Sequence, residues 1–108
     1  MRPRAAVTAG SRDGYAMSDA LKRELTIVNK LGLHARAAAK FVTCASGFGA
    51  DIVVRREGRE VNAKSIMGVM MLAAGQGTRI EVVASGADAQ DALDALESLV
   101  VNRFGEDE

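Results

Sequence analysis

The sequence predicts a single α+β domain in which helices cover one face of an antiparallel sheet. Short segments such as residues 78–84 alternate apolar and polar side chains, which is typical of strands with one buried face. Other segments, most clearly residues 88–104, carry apolar residues at helical spacing. These patterns follow one another in the order βαββαβα, and 108 residues suit one domain.

Each element follows from a local pattern. The strand segments are rich in Val, Ile and Thr, and Glu57-Gly58 predicts a hairpin turn between the second and third strands. Gly47 ends the first predicted helix, Gly75 ends the second, and Asp88 is the predicted N-cap of the third. The predicted strands are 24–29, 51–56, 59–63 and 78–84, and the predicted helices are 34–46, 64–74 and 88–104. Periodicity leaves the strand order open and permits a ferredoxin-like arrangement.

The two ends of the chain differ from this regular part. Residues 1–20 are rich in Ala, Gly, Ser and Arg without a sustained period, which predicts a disordered leader. Met17 opens a segment typical of an N-terminus, so a start codon assigned too far upstream is one explanation, and a transit peptide is the alternative. The predicted domain covers 21–105, and the acidic tail 106–108 is expected to fray.

Composition argues against several classes of function. Basic and acidic residues number 14 each, so we expect neither a general nucleic-acid binder nor a membrane-surface binder. Cys44 is the one cysteine, which rules out an intramolecular disulfide, and no spacing of metal ligands is present. There is no apolar segment long enough to span a bilayer and no secretory signal. We therefore expect a cytoplasmic monomer without metal or cofactor.

His34, the one histidine, lies at the predicted start of the first helix. A helix start offers free backbone N–H groups and a positive dipole end, which together bind phosphate. Imidazole can act as a nucleophile near neutral pH, so this position suggests a phosphoryl group carried on the ring. Arg36 in the first turn could contact phosphate oxygens, and Lys40 on the same face could dock acidic partners. The alternatives are a surface or capping histidine and solvated basic residues.

A second unusual segment contains a serine and three methionines. Ser65 is most simply an N-cap, although a phosphate there would also be stabilised by the helix start. Methionines suit either an irregular core or an adaptable binding surface. We expect Val69 and Met71 to pack in the core. The residues predicted to remain exposed for docking are Ile66, Met67 and Met70.

The segments 32–36 (Gly-Leu-His-Ala-Arg) and 64–68 (Lys-Ser-Ile-Met-Gly) resemble the two signatures of the HPr family of the bacterial phosphotransferase system. The similarity covers residues 24–102. It implies the HPr-like open-faced β-sandwich, a four-stranded antiparallel sheet covered by three helices. Many sugar-branch members have proline directly after the arginine. Ala37 stands there in this chain, which makes the motif more similar to the nitrogen-related, NPr-like branch.

The resemblance also implies roles for individual residues. His34 corresponds to the histidine phosphorylated on Nδ1 by phosphorylated enzyme I, and Arg36 to the arginine that assists transfer. Ser65 corresponds to the serine modified by an HPr kinase in some bacteria, and the exposed residues of the methionine segment to the docking patch. The phosphoryl group passes to a IIA-type protein for regulation or sugar uptake, so the chain is a phosphotransfer intermediate and not a stand-alone enzyme. The alternative from another class is a ferredoxin-like regulatory module that binds a small ligand.

Overall fold

The computed structural model describes residues 20–108, and the predicted leader lies outside these residues except for its last position. The order βαββαβα is confirmed, with a short 3-10 turn added after the last helix. The strands are β1 (Leu21–Thr26), β2 (Asp51–Arg56), β3 (Arg59–Asn62) and β4 (Arg79–Ser85). The helices are α1 (Ala35–Ser46), α2 (Ile66–Met71) and α3 (Ala89–Val101), and the turn is Arg103–Gly105. None of these helices is long and apolar enough to cross a membrane.

The sheet has four antiparallel strands in the order β1-β4-β2-β3. Among residues 20–108, strand β1 pairs only with β4, from Leu21 opposite Ala84 to Thr26 opposite Arg79. It therefore lies at an edge, whereas a ferredoxin-like sheet has its first strand in the interior. Strand order, which periodicity left open, thus selects the open-faced arrangement with three helices that the family resemblance implied.

The core lies between the sheet and the helices. Ile80, Val82 and Ala84 of β4 are at most 1% exposed, which confirms the predicted buried face of this strand. The predicted apolar stripe of α1, which includes Phe41, is buried in the same core. On the other side of the sheet, the Arg55 side chain pairs with glutamates of neighbouring strands and stays partly exposed. One face of the sheet is thus dry and the other is solvated.

Three predicted elements, β1, α2 and α3, each end three residues before the predicted position, because strand pairing or a positive φ angle ends them there. Strand β1 begins and ends three residues before the prediction, because its ladder with β4 stops at Thr26. Helix α2 covers six residues instead of the predicted eleven, and Ala73 beyond it adopts a φ of +52°. Helix α3 ends at Val101, after which Arg103 and Phe104 also take positive φ angles.

Asp88 stands at the predicted N-cap position of α3 but does not cap the helix through its side chain. Its carboxylate accepts hydrogen bonds from the N–H groups of Gly49 and Ala50, both at 2.8 Å. These bonds, the one from Gly49 first, lower the pKa of the Asp88 carboxyl. The residue therefore fastens the loop between α1 and β2 to the start of α3.

Candidate functional site

His34 is the N-cap residue of α1, in an extended backbone conformation with φ −72° and ψ 179°. Its carbonyl accepts the first helical bond from Ala38 N at 2.8 Å, but its side chain does not cap the helix. The first turn contains no acidic residue. Because no side chain of the described part of the chain caps the helix, the N–H groups of Ala35 and Arg36 are open to an anion. His34 thus occupies the capping position that the alternative interpretation expected, but its side chain takes no part in capping.

The loop before His34 is held against the segment that follows α2. Leu33 is buried, and its N–H donates to the carbonyl of Ala74 at 2.9 Å. Gly32 has a φ of +68°, and a Cβ atom there would lie 2.6 Å from the same carbonyl oxygen. Only glycine fits so close an approach in this left-handed conformation. The contact brings the His34 loop and α2 to one side of the molecule.

The acidic tail does not fray within the described residues but closes over the histidine. Glu106 Oε2 lies 2.6 Å from His34 Nε2, and the Glu106 side chain is 13% exposed. The 3-10 turn that delivers Glu106 is anchored by the buried Phe104 ring, and Lys40 Nζ donates to the Phe104 carbonyl at 2.6 Å. The hydrogen bond from His34 is the main cause that lowers the pKa of the Glu106 carboxyl.

This contact determines which ring nitrogen of His34 is available. An ionised carboxylate can only accept hydrogen bonds, so in the neutral imidazole Nε2 carries the proton that is donated to Glu106. The lone pair is then on Nδ1. None of the hydrogen bonds found within residues 20–108 uses Nδ1. The ring therefore offers a nucleophilic nitrogen beside the free N–H groups of the helix start.

His34, Arg36 and Lys40 line one open cavity of about 830 Å³. Across residues 20–108, no side-chain hydrogen bond or ion pair occupies the exposed Arg36 guanidinium. Basic and acidic groups face each other here, because Lys30 and the tail also contribute to the lining. The full lining is Lys30, Leu31, His34, Ala35, Arg36, Lys40, Gly105, Glu106, Asp107 and Glu108. The predicted basic residues and the histidine are thus brought together, with Lys40 additionally holding the turn.

The methionine segment lies on α2, outside the lining of this cavity. Ser65 is its N-cap, and its Oγ accepts a hydrogen bond from Gly68 N at 3.1 Å, as the cap interpretation predicts. Val69 is fully buried as expected, but Met71 is 63% exposed, so its assignment to the core is wrong. The six-residue helix is too short to bury a second side. The large apolar residues it exposes are Ile66, Met67, Met70 and Met71.

Sequence reasoning missed three residues of the site region. Glu106 was assigned to a frayed tail and Asn29 to the end of a strand, and Leu31 fell in the loop between that strand and the first helix. Leu31 is 66% exposed and lines the cavity, so an apolar residue adjoins the histidine. Leu31 could have been found from its place in the loop before His34. Glu106 could not, because no local pattern links it to a histidine 72 residues earlier.

Comparison with known proteins gives consistent similarities. A family model described as PTS HPr component phosphorylation site matches residues 21–102. Phosphocarrier protein HPr of Cupriavidus necator is 56% identical over 88 residues, which cover 82% of this chain and 99% of that protein. Phosphocarrier protein NPr of Shewanella violacea is 45% identical over 86 residues, with coverages of 80% and 94%. The crystal structure of HPr-C-His from Thermoanaerobacter tengcongensis has a TM-score of 0.79 at 44% identity, with coverages of 82% and 99%.

Proposed function

The chain belongs to the HPr family of phosphocarrier proteins, and from this premise we propose that Nδ1 of His34 is the atom that carries the phosphoryl group. The observation that carries the proposal is the contact between His34 Nε2 and Glu106. It leaves the Nδ1 lone pair free at a helix start whose first N–H groups bond to no side chain of residues 20–108. A ferredoxin-like ligand-binding module gives no reason for this arrangement and does not fit the strand order.

In the proposed transfer, the Nδ1 lone pair attacks phosphorus in line with the bond to the donor. That bond breaks as the Nδ1–P bond forms, and its electron pair leaves with the donor. The ring becomes an imidazolium because Nε2 keeps its proton, and the Glu106 carboxylate stabilises this charge. In this proposal the N–H groups of Ala35 and Arg36 and the Arg36 guanidinium receive the phosphoryl oxygens. Delivery to the acceptor reverses these steps.

The same arrangement explains why the phosphoryl group can leave again. Arg36 is exposed, so its attraction for phosphate is weakened by water and salt. Glu106 stands on the opposite side of the ring and repels a dianion while stabilising the imidazolium. A carrier needs this balance, because a phosphoryl group held as tightly as in a closed pocket would not be passed on.

We propose enzyme I as the phosphoryl donor and a IIA-type protein as the acceptor, in the cytoplasm and with the chain as a monomer. Family membership supports these partners, and the exposed apolar residues of α2 offer them a docking surface of the proposed kind. The contact is small and transient, as a carrier that serves two partners requires. The motif around Ala37 favours the NPr-like branch, while the compared relative named HPr is more similar overall than the relative named NPr.

Ser65 is the proposed site of regulation by an ATP-dependent HPr kinase. Its Oγ is half-buried at the start of α2, next to the exposed Ile66 and Met67. A phosphate there would add about two negative charges beside apolar side chains. We expect it to weaken docking without touching the His34 ring.

A paired labelling assay tests both sites. With enzyme I and phosphoenolpyruvate, we expect one acid-labile phosphoryl group per chain, which His34→Ala loses and Ser65→Ala retains. With ATP and an HPr kinase, we expect an acid-stable phosphate that Ser65→Ala loses and His34→Ala retains. Phosphoenolpyruvate-dependent labelling that is unchanged in His34→Ala would refute the proposed acceptor.

A further inference from the structure

Asn29 stands out because it is a polar residue buried completely, at 0% exposure, in the loop after β1. Its Nδ2 donates to the Gly32 carbonyl and to Glu106 Oε1, both at 2.9 Å. Its Oδ1 is buried and has no hydrogen-bond partner in the part of the chain that the structure describes. An unsatisfied buried oxygen lowers stability, so packing alone does not account for an amide at this position.

The orientation of the Asn29 amide is fixed by its neighbours. The Gly32 carbonyl and the Glu106 carboxylate can both only accept hydrogen bonds. Turning the amide by half a rotation would point Oδ1 at two acceptors, which is repulsive. Nδ2 must therefore face them, and Asn29 can act on Glu106 only as a donor.

The Glu106 carboxylate divides its two oxygens between this amide and the ring. Oε1 accepts from Asn29 and Oε2 accepts from His34 Nε2 at 2.6 Å. The three side chains form a chain of hydrogen bonds that runs from the core to the open cavity. Rotation of the carboxylate would break one of these bonds. The hydrogen bond from Asn29 therefore fixes the position of Oε2, the atom that accepts from the His34 ring.

We propose that Asn29 is a positioning residue for phosphoryl transfer, which acts through Glu106 to hold His34 with its proton on Nε2 and its lone pair on Nδ1. This inference rests on the proposed role of His34. Asn29 touches neither the ring nor the phosphoryl group. Its effect is on the orientation of the group that selects the tautomer.

The substitution Glu106→Gln directly tests the direction in which these hydrogen bonds are donated. Because Asn29 donates, the oxygen of the new amide must face Asn29, and its NH₂ group must face His34 Nε2. The ring then accepts at Nε2 and carries its proton on Nδ1, which blocks the nucleophile. Glu106→Ala removes the contact without imposing either tautomer. We therefore expect the nearly isosteric glutamine variant to transfer phosphate about tenfold more slowly than the alanine variant, because only the glutamine variant must give up a hydrogen bond to Nε2 to regain the reactive tautomer.

The tautomer is read from the ¹⁵N chemical shifts of His34 near pH 8.5, about two pH units above the ordinary imidazole pKa. Phosphoryl transfer from enzyme I is measured on the same samples. Asp91→Asn, which changes charge equally at an exposed position of α3 outside the cavity lining, is the matched control and should keep the wild-type tautomer and rate. In Asn29→Asp combined with Glu106→Gln, an acceptor replaces the donor at position 29, so the new amide turns over. The same change loses the hydrogen bond to the Gly32 carbonyl, so the double variant should be less stable than wild type and is measured well below its melting temperature. The Nε2–H tautomer and the transfer rate should then return toward wild type.

The proposal is supported by an Nδ1–H ring in Glu106→Gln and its reversal in the double variant. It is overturned by an Nε2–H ring in folded Glu106→Gln, or by a double variant that keeps the tautomer of the single one. If Glu106→Gln does not fold, the double variant decides alone: an Nδ1–H ring there contradicts the polarity argument, and an Nε2–H ring supports it. Absence of phosphoryl transfer to the wild-type chain would refute the proposed function, while the tautomer readout would still test Asn29.

Discussion

Replacement of Gly32 by alanine should destabilise the protein by disrupting the close contact between the His34 loop and the backbone at Ala74. Gly32 has a φ of +68°, where an L-residue costs roughly 1–2 kcal/mol. The new Cβ would lie 2.6 Å from Ala74 O and 2.7 Å from Gly75 Cα, both backbone atoms. The backbone segments around Gly32 and Ala74 would have to separate by roughly 0.8 Å before the new Cβ reached an ordinary van der Waals distance. That movement stretches the buried hydrogen bond from Leu33 N to Ala74 O, at a further cost of about 1–3 kcal/mol.

Urea denaturation of Gly32→Ala should therefore show a loss of about 3 kcal/mol in the free energy of unfolding. Gly58→Ala is the matched control, because Gly58 has a φ of +81° but nothing within 4 Å of the added Cβ. It isolates the backbone strain and should cost about 1 kcal/mol. Equal losses in the two variants would show that the close approach to Ala74 does not hold the loop, and would refute this reasoning.

The remaining predictions concern the tail, the docking face and the start of α3. Phe104→Ala should lower the free energy of unfolding by about 3–5 kcal/mol because the ring is 1% exposed, and it should slow His34 labelling by releasing Glu106. Met67→Glu should slow transfer from enzyme I about tenfold and leave the melting temperature unchanged, because this side chain is 70% exposed. Asp88→Asn should remove pH-dependent stability. The folded pKa of Asp88 is lowered from 3.8, so its contribution is present above that value and is lost as the pH falls further.

Each of these outcomes has a control. Val101→Ala is the control for Phe104→Ala, and Val101→Glu is the control for Met67→Glu. Because Val101 is 63% exposed, neither control should change folding or transfer. Urea denaturation at about pH 7 and about pH 3 compares Asp88→Asn with wild type, and the difference between them should shrink in acid. A difference that is constant with pH would contradict the hydrogen bonds from Gly49 and Ala50. Transfer to Met67→Glu at the wild-type rate would remove α2 from the docking surface.

The sequence predicted the elements well, because alternation and helical spacing depend on neighbours along the chain. The bounds of β2 are as predicted. Boundaries set by other parts of the fold were missed: β1 ends where its ladder with β4 ends, and α2 ends where Ala73 takes a positive φ. Periodicity carries no information on either event.

About half of the candidate site could be predicted from the sequence. His34 and Arg36 lie within one helix start, and the chemistry of such a start is readable from adjacent residues. The partner that orients the ring could not be found in this way, because Glu106 arrives through a 3-10 turn with positive φ angles at Arg103 and Phe104. Non-glycine residues rarely adopt that conformation, so no sequence pattern announces it.

Helix α2 is attached to the core through a single fully buried side chain of its own, Val69. Its outward residues therefore contribute little to folding, and most substitutions there should change stability by less than about 0.5 kcal/mol. Substitutions on this face are therefore little constrained by the stability of the fold. Among bacteria the α2 surface can diverge with its partners while His34, its loop and the sheet stay the same. For protein engineering, it is the place where partner choice can be altered without rebuilding the domain.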